Sequence, residues 1–435
     1  MSLLRMMCRP LAELPRGVRR FVLSEALLGI SLGLFSLVLN LHLLAAGMSE
    51  EAIGVLTALG TIVVGLSAIP IGLLARHWGR KKLFISGITL MGIGYMLFGS
   101  TTHTTVFYMA QAIQSLGIAL LITTEVQLLF SYAGKAHLET QSYSMMFAIF
   151  TLFSGVGTFL GGYIPLWLPT TGTPYQSALW IAGGGMLLLA VIRALLLPPE
   201  TITAKTANTA HTAPSSHRLP AKMGASPSKD GQKKALSKPF NVFRLLSISE
   251  WQLIGLVMLS GSVFAVITPF QNIILKLHFN AGDETISWVL TLAGFFLFIG
   301  SLSLPRVLSI FGQQKTYHLL FIANMLLLFL LALPLPLGIF TTFFLIRGGA
   351  FTMLNNLIES QTMSYVVEER RDSFAAFRSL FRAISSALAS YLGGLLLEYG
   401  SPLLPFAVGA LLIALEWIYY RVLAAPHLLK IGHDA

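Results

Sequence analysis

Twelve long apolar segments constrain the fold of this chain more than any other feature. They lie at about 21–46, 52–75, 83–100, 105–132, 143–168, 175–198, 251–279, 285–305, 317–337, 338–366, 374–397 and 402–424. Each is long enough to cross ~30 Å of hydrocarbon as an α-helix. Only helices and closed barrels satisfy their backbone hydrogen bonds inside lipid. We therefore predict an all-α membrane protein with twelve transmembrane helices.

The composition agrees with a lipid environment. Hydrophobic residues make up 55% of the 435 residues and charged residues only 11%, whereas soluble proteins usually carry about 25% charged residues. The net charge of +11 does not predict nucleic-acid binding, because the basic residues fall in alternate loops. We expect a monomer whose partners are the lipid bilayer, a small-molecule substrate and a proton or other coupling ion.

The positions of the basic residues predict the orientation. All of the 29 Lys and Arg residues except Lys276 and Arg347 fall on the side of the N-terminus. The loops on the opposite side are acidic or neutral, with Glu50, Asp283 and Glu398 among them. Lys and Arg are enriched in cytoplasmic loops. We therefore expect both termini to be cytoplasmic and the protein to lie in the cell (plasma or inner) membrane.

A polar segment divides the chain into two halves. Residues 201–238 are rich in Thr, Ala, Ser, Pro and Lys and contain few large apolar side chains. Such a segment cannot bury enough apolar surface to fold. We therefore predict a six-helix bundle at 1–198, a disordered cytoplasmic linker at 199–247 and a second six-helix bundle at 248–435.

The two halves repeat each other. Five short matches recur in the same order at offsets of 225 to 234 residues, namely 24–25 with 249–250, Asn40 with Asn272, 52–57 with 285–291, 125–127 with 359–361, and 160–162 with 392–394. A parallel repeat of six helices is typical of transporters whose binding site lies between the halves. The repeat therefore predicts two pseudo-symmetric bundles.

The loop after the second apolar segment resembles a known signature. Residues 72–82 read GLLARHWGRKK, which is similar to the Gly-x-x-x-Asp-Arg-x-Gly-Arg-Arg/Lys loop of the major facilitator superfamily. The matching positions are Gly72, Gly79, Arg80 and Lys81, and Arg76 stands where the family has Asp. The resemblance implies the fold of that superfamily and secondary transport by alternating access, as antiport, symport or facilitated diffusion.

A second segment resembles an exporter motif of the same superfamily. Residues 157–162 read GTFLGG, which is similar to Gly-Pro-x-x-Gly-Gly with Thr158 in place of the proline. That motif is typical of members that export drugs against protons. Close helix packing through small residues explains the same glycines. The direction of transport therefore stays open.

The signature loop predicts a cytoplasmic gate. Gly72 would allow close helix approach and Gly79 a tight turn, while Arg80 and Lys81 would offer positive charge to the other half. Arg76 replaces the acidic residue of the usual charge relay. The acidic residues of the equivalent loop in the second half could face these cations, namely Glu368, Glu369 and Asp372. Alternatively, the basic residues of the loop only set the topology.

Ionisable groups at membrane depth are candidates for coupling, because burying them in lipid is costly. Glu125 and Gln114 are eleven residues apart and share one helix face. Glu359 is the counterpart of Glu125, and we expect it to pair with Arg382. No arginine occupies the equivalent stretch of the first half, so we predict Glu125 as the proton-coupling residue. The alternative is a carboxylate in a wet vestibule.

Further polar residues are candidates to line the cavity. Arg347 has no role in topology at its position, so we expect it in the cavity, where it would suit an anionic group on the substrate. The other lining candidates are Asn355, Gln271, Asn272, Asn40 and His42. Three further acidic residues, Glu25, Glu250 and Glu416, are expected to snorkel or to pair with Arg20, Arg244 and Arg421.

The chain lacks the motifs of enzymes that act on nucleotides or by nucleophilic attack. It contains no Gly-x-x-x-x-Gly-Lys-Ser/Thr loop and no His-x-x-x-His pair, so we expect neither enzymatic activity nor a cofactor or metal. We predict a secondary transporter that exports an amphipathic or drug-like compound by proton coupling. Uptake of an organic anion or sugar by symport is one alternative, and a membrane sensor or lipid-translocating protein on the same fold is another.

Overall fold

A computed structural model describes residues 14–134, 136–199, 246–367 and 370–428. Within these residues, twelve helices are long and apolar enough to cross a membrane, which confirms the predicted fold class. We number them as spans 1 to 12. Nearly all of the predicted linker, residues 199–247, lies outside the described residues.

The spans follow one another with short connections. Spans 1 to 6 are Arg16–Ala45, Glu50–Trp78, Arg80–Ser100, Thr104–Ala133, Ala136–Trp167 and Gln176–Leu196. Span 7 comprises Ile248–Ile267, a 3-10 turn at Thr268–Phe270 and Gln271–Phe279. Spans 8 to 11 are Asp283–Phe311, Gln313–Leu331, Leu337–Tyr365 and Arg371–Tyr399. Span 12 begins as Leu404–Tyr419 and continues through a π turn, Tyr420–Ala424, to Ala425–Leu428.

Local signals explain where several spans begin and end. Ser49 caps span 2 by accepting a hydrogen bond from the backbone N–H of Ala52. Ser247 and Glu250 form a capping box at the start of span 7. Gly79 separates spans 2 and 3 with a φ of 83°, a conformation that glycine adopts at little cost.

Span 7 is broken, although its sequence predicts one continuous apolar helix. The break lies at Thr268–Phe270. Pro269 has no backbone N–H, so it cannot continue the helical hydrogen-bond ladder. The break places the side chain of Gln271 at the start of a new helical segment.

A reciprocal pair of hydrogen bonds joins spans 1 and 7. The side-chain amide of Asn40 donates to the carbonyl of Pro269. The amide of Asn272 donates to the carbonyl of Leu37 at 2.7 Å. In the repeat, Asn40 corresponds to Asn272 and Leu37 corresponds to Pro269 at the same offset. The repeat found in the sequence is therefore realised as two-fold pseudo-symmetry at this contact.

Two glycine contacts show the same symmetry. A Cβ added at Gly394 of span 11 would lie 2.6 Å from the carbonyl oxygen of Glu50 at the start of span 2. A Cβ added at Gly162 of span 5 would lie 2.6 Å from the carbonyl oxygen of Asp283 at the start of span 8. Only glycine allows the backbones of the two halves to approach this closely.

These contacts lie near one end of the bundle, which we call the acidic side because Glu50, Asp283 and Glu398 lie there. The carboxylate of Glu398 accepts a hydrogen bond of 2.9 Å from the backbone N–H of Glu50 across the halves. Tyr175 of the first half donates to Asp283 of the second half at 3.0 Å. The halves are thus closed against each other on the acidic side. On the opposite, basic side, a Cβ added at Gly72 would meet nothing within 4 Å.

Candidate functional site

Residues of the second half line a cavity of about 340 Å³. Its walls come from spans 7, 8, 10 and 11, and four predicted site residues line it, namely Gln271, Arg347, Asn355 and Arg382. Aromatic rings supply much of the remaining wall, from Phe264, Phe344 and Phe351. The cavity therefore combines cationic groups with a large apolar surface. Such a combination is typical of sites that bind small organic molecules.

Arg347 is the least compensated charge of the cavity. Its side chain is 3% exposed, and its guanidinium carbon lies 4.7 Å from the centre of the Phe351 ring. Its Nε and Nη2 atoms have no hydrogen-bond partner among the described residues. A buried cation with unsatisfied donors is costly unless an anion or water completes it. The site is therefore suited to a negatively charged group.

The second arginine of the cavity is already paired. Arg382 donates to Glu359, as the sequence predicts, and Glu359 also binds Arg378 at 2.6 Å. The Nη2 atom of Arg382 donates to Asn355 at 3.3 Å. Two arginines share one carboxylate, so this cluster retains positive charge beside the cavity.

Glu416 occupies an unexpected position behind this cluster. The sequence predicts that Glu416 snorkels or pairs with Arg421, but it is fully buried and Arg421 is exposed. Ser260 of span 7 and Arg382 of span 11 lie close enough to interact with its carboxyl group. The prediction is wrong because the helix turns Glu416 toward spans 7 and 11 instead of toward the membrane surface.

The first half contains a buried cluster of acidic and basic groups. Arg193 of span 6 is fully buried and pairs with Glu25 of span 1. Its Nε atom donates to Ser24 at 2.9 Å, and its guanidinium carbon lies 4.7 Å from the centre of the Phe84 ring. Glu125 of span 4, which is only partly buried, lies close enough to interact electrostatically with both members of the pair.

This cluster corrects two expectations. Glu25 pairs with Arg193 and not with Arg20. Span 5 has no arginine at the position equivalent to Arg382, as expected, but Arg193 of span 6 supplies a cation near Glu125. Glu250, the counterpart of Glu25, pairs at 3.2 Å with Arg370, and its expected partner Arg244 lies outside the described residues.

Several predicted lining residues serve other contacts. Asn40 and Asn272 join spans 1 and 7, as described above. His42 is buried, and its Nδ1 lies 2.5 Å from the hydroxyl of Thr173. Gln114 is buried against span 3, where a Cβ added at Gly94 would lie 2.6 Å from its Cβ. All four side chains are buried, and their contacts lie within or between the halves.

The predicted gate lies at the basic side. Lys81 donates to the carbonyls of Ala194 and Leu197, at 3.2 and 2.6 Å, at the end of span 6 in its own half. Basic groups are favourable at this end of a helix. Of the other predicted gate residues, Glu368 and Glu369 lie outside the described residues, as do the side chains of Arg76 and Asp372. Arg80 begins span 3.

Charge reversal tests the gate. We expect Arg80→Glu and Glu369→Lys each to slow transport about fivefold, and the double variant to recover most of the loss, because interacting charges are not additive. Initial transport rates in proteoliposomes measure the effect. Lys82→Glu makes the same charge change at an exposed position of the same loop and should be neutral. A double variant that is no faster than the singles would refute the pairing.

Comparisons with known proteins agree with this architecture. The family model described as Major Facilitator Superfamily matches residues 21–365. No curated protein matches the chain. The crystal structure of the nucleoside transporter NupG has a TM-score of 0.72 at 12% identity, over 93% of this chain and 98% of that chain.

Two further structures share the fold. A bacterial homologue of the iron transporter ferroportin in an inward-facing state has a TM-score of 0.69 at 14% identity, covering 94% of this chain and 98% of that chain. The human organic anion transporter MFSD10 has a TM-score of 0.60 at 13% identity, covering 92% of this chain and 99% of that chain. From its family match, its twelve spans and its two related halves, we conclude that the chain belongs to the Major Facilitator Superfamily.

Proposed function

We propose that this transporter moves a small amphipathic organic anion by alternating access. The unsatisfied guanidinium of Arg347 in the cavity carries this proposal. Neither a neutral sugar nor a cationic drug would compensate that charge. An anionic group would do so through charge-assisted hydrogen bonds, which are about twice as strong as neutral ones.

The rest of the cavity supports an amphipathic substrate. Phe264, Phe344 and Phe351 offer apolar surface to the body of the substrate, and Gln271 and Thr268 offer polar groups at its edge. The volume of about 340 Å³ suits a molecule of modest size. The similar fold of a human organic anion transporter is compatible with such a substrate.

We also propose that transport is coupled to protons at Glu125. Glu25 and Glu125 share one buried cation, Arg193, so full ionisation of both carboxyl groups leaves a net negative charge in the membrane interior. Burying that charge is costly, and binding one proton neutralises it. The placement of basic residues supports cytoplasmic termini. The closed acidic side would then be the outer side.

The experiment that tests the function is solute flux in proteoliposomes, with and without an imposed pH gradient. The panel should include aromatic carboxylates, neutral sugars and cationic dyes, with flux measured in both directions. We expect movement of the aromatic carboxylates, driven by the gradient. Movement of cationic dyes alone would contradict the anion site. Failure to move any solute, together with movement of labelled lipid, would favour the lipid-translocating alternative.

Replacing Glu125 tests the coupling. We expect Glu125→Gln to keep flux down a solute gradient and to lose the response to an imposed pH gradient, because glutamine cannot release a proton. Flux with and without the pH gradient measures this response. Glu284→Gln, a matched change at an exposed position on the acidic side, should respond like the parent protein. If Glu125→Gln keeps the full response, Glu125 is not the coupling residue.

A further inference from the structure

The carboxyl group of Glu416 has no role in the function proposed above, although it lies fully buried in span 12. Neither of its oxygens makes a hydrogen bond of good geometry within the described part of the chain. An isolated carboxylate in a membrane interior is strongly disfavoured relative to the neutral acid. The position therefore favours a bound proton.

The groups around Glu416 come from three spans. Ser260 of span 7 and Arg382 of span 11 lie close to the carboxyl group, and Tyr317 of span 9 lies close enough to sense its charge. His318 of span 9 is engaged elsewhere, because it accepts a hydrogen bond of 3.0 Å from Trp417. On its own helix, Arg421 is exposed. Within the part of the chain that the structure describes, Arg382 is thus the cation that faces Glu416.

A chain of polar groups connects Glu416 to the cavity. Ser260 donates to the side-chain oxygen of Asn355 at 3.4 Å. Arg382 donates to the same oxygen at 3.3 Å. Both Asn355 and Arg382 line the cavity. A change of charge at Glu416 therefore changes the electrostatic environment of groups that would contact a bound substrate.

The net charge beside the cavity depends on whether Glu416 carries a proton. Arg378 and Arg382 share Glu359, which leaves one positive charge when Glu416 is neutral. That positive charge would add to Arg347 in attracting an anion. When Glu416 is ionised, its negative charge offsets the excess and weakens the attraction. Binding of a proton at Glu416 and of an anion in the cavity should therefore favour each other reciprocally.

We propose that Glu416 is a proton-binding residue that controls the affinity of the cavity for its anion. This proposal rests on the anion site proposed above. A hydronium ion that reaches the carboxyl group behind the cavity wall gives its proton to a carboxylate oxygen of Glu416 and becomes water. The O–H bond that forms removes the negative charge, and Arg382 then contributes its positive charge to anion binding. Loss of the proton reverses the change and releases the anion.

Binding of benzoate to the purified full-length protein in lipid nanodiscs tests the proposal. Benzoate is a small aromatic carboxylate, and its affinity can be measured by calorimetry from mildly acidic to mildly alkaline pH. We expect the affinity of the parent protein to fall about tenfold over this range, a typical coupling between sites. Glu416→Gln, which is permanently neutral, should keep the high affinity at every pH. Glu416→Asp and Glu284→Gln should both retain the pH dependence.

Infrared difference spectra give an independent measurement without any added anion. A protonated carboxyl group in a dry environment has a distinct carbonyl stretch. The component from Glu416 should be present in the parent protein and in Glu125→Gln at neutral pH, lost in Glu416→Gln and shifted in Glu416→Asp. Equal pH dependence of benzoate affinity in the parent and Glu416→Gln would overturn the proposal and leave the anion site standing. If benzoate does not bind, the anion site is refuted for this probe, and an unchanged carbonyl band in Glu416→Gln would refute the proton site separately.

Discussion

Replacing Arg347 with glutamine should weaken binding of an aromatic carboxylate by about 10- to 150-fold, because hydrogen bonds to a charged group contribute about 1.5–3 kcal/mol each. The free energy of unfolding should stay the same or rise. Arg347 is 3% exposed, and its Nε and Nη2 atoms have no hydrogen-bond partner among the described residues, so removing its charge relieves an uncompensated burial. Calorimetry with benzoate and thermal unfolding in detergent measure the two effects.

The opposite signs of these two effects separate a binding role from a structural one. If the arginine had a structural role, its replacement would lower both the stability of the protein and its affinity for the anion. Arg347→Lys keeps the charge but loses the planar donor geometry, so we expect it to retain part of the affinity. Arg421→Gln removes an exposed arginine of span 12 and should change neither quantity. A large fall in melting temperature for Arg347→Gln would contradict the anion site.

The second large effect is expected at Arg193, and it concerns stability. Arg193→Gln should lower the free energy of unfolding by about 3–5 kcal/mol, because it leaves a buried carboxylate without its partner. Both members of the pair are almost fully buried, at 0% and 1% side-chain exposure. Loss of the guanidinium contacts with the rings of Phe21 and Phe84 would add to the effect. Thermal unfolding of the purified protein measures it.

The repeat supplies a matched control for this prediction. Glu250 is the counterpart of Glu25, and its partner Arg370 is 44% exposed. Glu250 itself is 3% exposed, but it also accepts a hydrogen bond of 2.6 Å from the backbone N–H of Ser247. Ion pairs with an exposed member contribute only about 0–1 kcal/mol, so Arg370→Gln should have a much smaller effect than Arg193→Gln. The double change Glu25→Gln with Arg193→Gln should recover most of the stability, because no unpaired member of the pair then remains. If Arg193→Gln lowers the free energy of unfolding no more than Arg370→Gln does, the pair of Glu25 and Arg193 does not stabilise the first half.

Much of the architecture could be predicted from the sequence, because lipid imposes simple rules on segment length and composition. The twelve spans follow from apolar runs alone. The repeat predicted the equivalence of Asn40 and Asn272, and the structure realises it in their reciprocal hydrogen bonds. The pairing of Glu359 with Arg382 was also predicted, because the two residues enter neighbouring spans at similar depth.

The polar clusters were harder to predict, because hydropathy does not say which helices lie side by side. Glu25 and Arg193 are 168 residues apart in the chain, and the position of Arg193 near the end of span 6 is also typical of a basic residue that sets the topology. Glu416 and Arg421 are five residues apart in the same helix, so a local pair is the simpler prediction from the sequence. The break in span 7 could have been found, since Pro269 is visible in the sequence and prolines inside helices often break them.

The symmetry of the inter-half contacts has a mechanical consequence. Spans 1 and 7 are equivalents that contact each other, so the pseudo-symmetry axis passes between them, beside Asn40 and Asn272. The contacts of span 2 with span 11 and of span 8 with span 5 are exchanged by the axis, so they lie at equal distances on either side of it. If the halves rotate against each other about the asparagine pair, the glycine contacts at Gly394 and Gly162 lie at equal distances from the centre of rotation. By symmetry, a rotation that separates the backbones at one of these contacts on the acidic side separates them equally at the other. We therefore expect both contacts to open in a single step.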